Sequence, residues 1–261
     1  MRVARYTTGQ EPSYGIVQSD PDTMQSSWIA QIHGDPLYTP VAGTGNRVEL
    51  EEVRLLAPVI PRSKIIGIGR NYAEHARELG HELPSEPLMF LVPNTAVIGP
   101  DDPVVIPPQT SECHYEGELA VVIGRMCKDV PAQQAASVIF GYTCANDVTA
   151  RDLQRSDAQW ARAKGFDTFC PLGPWIETDL DTTDLGIRTR VDGRTVQDGS
   201  TSAMIFDVAD LVAYASSVFT LLPGDVILTG TPAGVGPVEA GQRVEVEIDG
   251  IGTLANPFVR R

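Results

Sequence analysis

The sequence predicts a β-rich fold, and three observations lead there. Glycine and proline are frequent, 24 and 20 among 261 residues, which marks a chain that turns often between short elements. Short β-branched runs recur between those turns, among them Ile65-Ile66-Gly67-Ile68, Val104-Val105-Ile106 and Val244-Glu245-Val246-Glu247-Ile248. The last alternates strictly, as a strand with one buried face does. Helical spacing is confined to a few stretches, at 71–80, 132–138, the turn at 148–154, and 204–220.

Taken in order, residues 1–60 form a small first unit. Val3–Tyr6 and Tyr14–Val17 read as strands joined by a turn-rich link, Gly34-Asp35-Pro36 and the segment 43–46 as turns, and Val53–Pro58 as a strand leading out. Nothing in this unit carries chemistry, and His33 reads as a loop histidine. Prolines 58 and 61 mark the boundary to a second unit, 61–261. There an apolar strand runs into Gly67 and Gly69, with Asn71 placed to cap a helix that Gly80 ends. The spacing lacks the third glycine and the βαβ frame of a dinucleotide site. Further strands are expected at 88–91, 104–107, 118–124, 138–147 and 223–229. A hairpin over 187–199 turns at Asp192-Gly193, and a last strand pair turns at Asp249-Gly250.

Composition narrows the function. The net charge is −14, which leaves no basic footprint for nucleic acid or anionic membrane. No stretch has the apolar length of a membrane span. The N-terminus lacks the apolar region of a signal peptide. Cys113, Cys127, Cys144 and Cys170 show no metal or disulfide spacing. A reducing cytoplasm is the expected setting, with the cysteines in the core.

The chain is organised around His114-Tyr115-Glu116-Gly117-Glu118-Leu119-Ala120-Val121-Val122-Ile123-Gly124. Two carboxylates stand two residues apart at the mouth of a buried strand, on the same face. Like charges so placed repel unless a cation joins them or one is protonated. Each other candidate has an ordinary reading as well. His75 and Glu78, three apart on a helix, have the wiring of a general base or of a surface pair. Asp147, at a strand end, faces a site or caps the turn that follows. Lys164 points into a pocket or into water. The Gly-rich loop after Leu228 lacks the ending of a P-loop, yet its N–H groups and Thr231 suit a carboxylate.

The blocks together are more specific than any one of them. Gly69-Arg70-Asn71-Tyr72 with His75 and Glu78, Tyr115–Leu119, Asn146–Asp152, Lys164–Asp167, Gln197–Thr201 and Thr229–Gly236 follow one another in an order that resembles the fumarylacetoacetate hydrolase superfamily. The resemblance covers about residues 60–261 by eye, and many bacterial members carry a small N-terminal domain like residues 1–60. It implies an α+β fold, a mixed β-roll, usually a homodimer. It implies that Glu116, Glu118 and Asp147 hold a divalent metal, Mg2+ or else Mn2+ or Ca2+; all-oxygen ligands agree with that choice. Lys164 then stands near metal and substrate, His75 and Glu78 form a catalytic dyad on a lid helix, Thr231 lies in the loop that binds a substrate carboxylate or carbonyl, and Arg70, Arg151 and Gln197 contact the substrate or support the residues that do. The implied substrate is a small 2-oxo or dicarboxylic acid that reacts through a metal-stabilised enolate. C–C bond cleavage, as acylpyruvate hydrolysis or oxaloacetate decarboxylation, leads. The alternatives are isomerisation of a 2-hydroxyhepta-2,4-diene-1,7-dioate-type diacid in aromatic catabolism and a non-catalytic ligand-binding relative.

Overall fold

The computed structural model describes residues 1–19, 26–74 and 83–260. His75 and Glu78 therefore lie outside the described residues. Most strands join one 12-stranded sheet. Its path runs through Gly43–Glu49, Ser26–Ile32, Ser13–Ser19, Arg2–Thr7, Cys170–Glu177, Ile139–Asn146, Gly117–Ile123, Val226–Leu228, Ile65–Gly69 and Leu88–Val92. The first strand pairs with Cys170–Glu177, placing Val3 opposite Ile176, so the N-terminal strands continue the main sheet. A five-stranded sheet packs against it, built from Arg194–Ser200, Gly186–Val191, Arg243–Ile248, Gly252–Arg260 and Val104–Ile106. No helix among the described residues is long and apolar enough to cross a membrane.

The organising strand is buried on both faces, which is why its apolar run is continuous. Leu119, Val121 and Ile123 point into a core shared with Ile187, Val246 and the helix Val208–Val218. Ala120 and Val122 point into a second core with Ala145, Leu172, Val226 and Leu228. Glu116 and Glu118 have the parity of Ala120 and Val122, and they extend that face past the end of the hydrocarbon. Asp207 caps the helix by accepting from the Asp210 N–H. The 187–199 hairpin forms with Asp192 and Gly193 both at positive φ, 50° and 77°, as a type I′ turn requires.

Three expectations need correction. The stretch 132–138 forms a 3-10 helix, Ala132–Ser137, rather than an α-helix. Ser26–Ile32 and Gly43–Glu49 are strands that were not expected, the latter over a stretch read as a turn. Cys170–Glu177 is a central, wholly buried strand. Its Pro171, Gly173 and Pro174 hide it, since proline and glycine argue against a central strand. The neighbouring strand accommodates them by an irregularity between Tyr142 and Cys144, where the Thr143 hydroxyl donates to Gly173 O at 3.0 Å.

Candidate metal centre

The polar residues gather where the strands Gly117–Ile123 and Ile139–Asn146 reach the same end of the sheet. Gly117 lies opposite Asn146 in the ladder. The Asn146 side chain accepts from the Glu116 N–H at 2.9 Å, and the Asp147 N–H donates to Glu116 O at 2.9 Å. These bonds fix Glu116 and Asp147 beside each other. Glu116, Glu118 and Asp147 are all buried, and each offers an oxygen within 4.8 Å of the others.

Two cations enter the cluster. The short helix Ala161–Lys164 delivers Lys164, only 2 % exposed. Its ammonium donates to Asp147 Oδ2 at 2.6 Å and to Glu116 Oε2 at 2.8 Å. Arg151, the first residue of the helix Arg151–Ser156, donates to Glu116 Oε1 at 2.5 Å and to Gln154 Oε1 at 2.6 Å. Asp147 is therefore not the cap of that helix, whose cap position is Ala150. Glu118 accepts from the Gly230 N–H at 2.8 Å. Gly230 holds φ at 94°, and a Cβ there would lie 2.8 Å from that of Asn71, so only glycine fits this approach. Asn71 uses its amide to bind Phe206 and Thr229 across the molecule.

The electrostatics are those of an anionic pocket short of positive charge. Burial, then the charges of Asp147 and Glu116, hold the Glu118 carboxyl well above its ordinary range. Burial is the main reason that Asp147 is raised to about 6, with Lys164 opposing it. Burial alone lowers the Lys164 pKa, but the carboxylates of Asp147 and Glu116 more than reverse it, and the ammonium stays charged. One atom remains unanswered: Asp147 Oδ1 is buried and has no hydrogen-bond partner. An orphan carboxylate oxygen in an all-oxygen cluster fits a hard divalent cation.

The pocket above the cluster is small, with a cavity volume of about 40 Å³. Of the expected site residues, Arg70, Glu116, Glu118, Asp147, Arg151, Lys164 and Thr231 line it. Gln197 does not; it is 1 % exposed and lies behind the cluster. The Thr231 hydroxyl, expected to meet substrate, donates instead to Gly117 O at 2.8 Å. Arg70 sits at positive φ, 59°. Five further residues line it that were not expected as site residues: Ile68, Gly69, Gln154, Phe90 and Trp160. Gln154 was findable as the i+3 neighbour of Arg151. Phe90 and Trp160, edge to face at 5.4 Å, belong to segments far apart and gave no signal.

Known proteins are similar to this chain along its length. Residues 64–259 match the fumarylacetoacetate (FAA) hydrolase C-terminal family model, and residues 1–58 match the Rv2993c-like N-terminal one. The structure of a 2-hydroxyhepta-2,4-diene-1,7-dioate isomerase from Mycobacterium marinum is 49 % identical, covers 100 % of this chain and 99 % of its own, and superposes with a TM-score of 0.92. The Homo sapiens mitochondrial oxaloacetate tautomerase FAHD2A is 44 % identical over 80 % of this chain and 70 % of its own. A fumarylpyruvate hydrolase from Pseudomonas aeruginosa, solved with Mn2+ and pyruvate, is 35 % identical over 80 % of this chain and 92 % of its own, with a TM-score of 0.73. With a matching model spanning most of its length and a relative this close along its whole length, the chain belongs to the fumarylacetoacetate hydrolase family.

Proposed function

We propose that this chain is a divalent-metal-dependent enzyme that relocates a proton in small 2-oxo diacids, interconverting keto, enol and unsaturated forms. One observation carries the reading: three buried carboxylates share a pocket with Lys164, and the Asp147 Oδ1 atom has no partner. Glu116, Glu118 and Asp147 would hold the cation. Once bound, it supplies positive charge where an enolate oxygen becomes negative.

The other roles follow from placement. Lys164, paired with Asp147 and Glu116 beside the pocket, would stabilise the same developing charge as a cation. Arg151 and Lys164 both pair with Glu116, whereas Arg70 has no ion-pair partner among the described residues. Arg70 is therefore the group for the far carboxylate of a diacid. Phe90 and Trp160 form an apolar wall that keeps water from that side. The proton at carbon would go to His75, paired with Glu78 in the dyad that the family resemblance implies. That resemblance also supports a homodimer, a role in aromatic-compound catabolism, and the division into residues 1–60 and 61–261.

Proton relocation is preferred over C–C cleavage on the relatives at 44–49 % identity that are named tautomerase and isomerase, the second matching over the whole chain; a relative at 45 % is named oxaloacetate decarboxylase. Cleavage is the second reading, favoured by the hydrolase found with pyruvate. A proton NMR time course in D2O decides between them, using oxaloacetate and a 2-hydroxyhepta-2,4-diene-1,7-dioate, each with magnesium and again with chelator. Chelator-sensitive exchange or migration at the carbon next to the carbonyl, before any pyruvate appears, is expected. Pyruvate as the first product would favour cleavage. No turnover by a protein that binds magnesium would make it a ligand-binding relative.

A further inference from the structure

Gln197 is buried, distant in sequence from every other site residue, and absent from the pocket lining. One of its bonds runs to the backbone between the two glutamates, and the others to Thr231 and Pro232. Within the strand Gly117–Ile123, odd-numbered residues turn their N–H and C=O toward Val226–Leu228. Leu119 O accepts from Thr229 N at 3.1 Å, and Ile123 N donates to Asp225 O at 2.9 Å. Gly117 faces the same way, but the neighbouring strand has ended: its pairing stops at Leu228, opposite Ala120. A buried N–H and C=O would be left without partners, which native structures avoid.

Two side chains fill the gap. The Gly117 N–H donates to Gln197 Oε1 at 3.0 Å. Gly117 O accepts from the Thr231 hydroxyl at 2.8 Å, and that hydroxyl accepts in turn from Gln197 Nε2 at 2.8 Å. The second Nε2 hydrogen goes to Pro232 O at 2.8 Å. A closed ring results, Gly117 to Gln197 to Thr231 to Gly117. The approach is close: a Cβ on Gly117 would lie 2.2 Å from Thr189 Oγ1 and 3.3 Å from Gln197 Oε1.

We infer that Gln197 is a positioning residue: its amide replaces a missing strand at Gly117, and so sets the spacing of Glu116 and Glu118 and the seat of the Gly230–Thr231 loop. The five-stranded sheet thereby holds two of the three carboxylates in register for a cation, without touching substrate. The inference rests on the metal reading proposed above.

The test is calorimetric titration of the full chain with MnCl2, and separately with oxalate in the presence of saturating MnCl2, for wild type, Gln197→Leu, Thr231→Val and the double variant. Each single change is expected to weaken Mn2+ binding by about tenfold or more, the range for groups that orient metal ligands. The double variant should bind within about threefold of the weaker single, because both changes break one ring. Losses that multiply, or Mn2+ affinity unchanged in both singles, overturn the inference. So does a Gln197→Leu protein that loses only oxalate affinity, since Gln197 would then be a substrate contact. If Gln197→Leu does not fold by circular dichroism, Thr231→Val decides on the same criterion. A wild type that binds no Mn2+ overturns the metal reading itself; a wild type that binds, with variants that bind equally, overturns only this inference.

Discussion

The parallel strands Ile65–Gly69 and Val226–Leu228 carry a buried acidic group at each end, and the two ends treat it differently. At the N-terminal end Asp225 is fully buried and fully answered. It accepts from Lys64 N at 3.1 Å, Lys64 Nζ at 2.6 Å and Leu222 N at 2.8 Å. Beyond the C-terminal end Glu118, Glu116 and Asp147 crowd together, and Asp147 keeps an oxygen with no partner. Both clusters are desolvated, and only one is closed. A buried carboxylate with both oxygens answered holds the fold together; one left short repels its neighbours until a cation arrives. That contrast separates a structural ion pair from a binding site more sharply than burial or charge does.

Replacing one residue at each end breaks the comparison most directly. Asp147→Asn should lower divalent-metal affinity by about 100-fold or more, beyond the range for supporting groups. The metal-free protein should lose under about 1 kcal/mol or gain stability, because a strained buried charge is removed. Lys164 retains Glu116 in that variant. Asp225→Asn should do the reverse, costing about 3 kcal/mol because Lys64 is left half-buried without its counter-ion, while metal affinity stays within about twofold. Urea unfolding without metal and calorimetry with it read both. Equal destabilisation by the two variants would erase the distinction.

Arg70 sharpens the comparison at the pocket wall, as the lining cation with no ion-pair partner among the described residues. Arg70→Met should raise KM for a diacid by about tenfold, the worth of one charge-assisted hydrogen bond. It should leave KM for a monocarboxylic 2-oxo acid nearly unchanged. Steady-state kinetics on oxaloacetate and on a monoacid such as acetylpyruvate make the measurement, and equal effects on both would remove Arg70 from substrate recognition.

Much of the site was legible because its residues sit at strand ends inside short local blocks. Glu116 and Glu118 declare their common face by strand parity, and Asp147 follows from the strand that ends before it. The closed cluster was not legible, since Lys64 and Asp225 are far apart in sequence and each looks like an ordinary surface charge. Gln197 stood in a recognisable block that left open whether it meets the substrate or supports the residues around it. Whether an amide meets substrate or backbone depends on where another strand stops, and no local pattern records that. The strand Cys170–Glu177 was hidden for a related reason: an irregular neighbour and a side-chain bond from Thr143 make room for its prolines.

A third carboxylate tests the same rule near the surface. Asp152 accepts from Thr110 Oγ1 at 2.5 Å, Ser111 N at 3.0 Å, Ser111 Oγ at 3.1 Å and Leu153 N at 2.9 Å, tying the 110–112 loop to the start of the helix that carries Arg151. Burial pushes its pKa up, but these four donors outweigh it and bring the carboxyl down to about 2 from 3.8. Between those values the unfolded chain binds more protons than the native one, so stability rises with pH across that window. Asp152 should therefore contribute fully above pH 3.8, and its contribution should vanish as pH falls through about 2. Wild type and Asp152→Asn, unfolded by urea at a series of pH values, should differ by a constant gap at neutral pH that closes in acid. A gap independent of pH would mean that the loop is held by shape alone. A gap that closes would place Asp152 with Asp225, as a carboxylate whose hydrogen bonds are complete without any ligand.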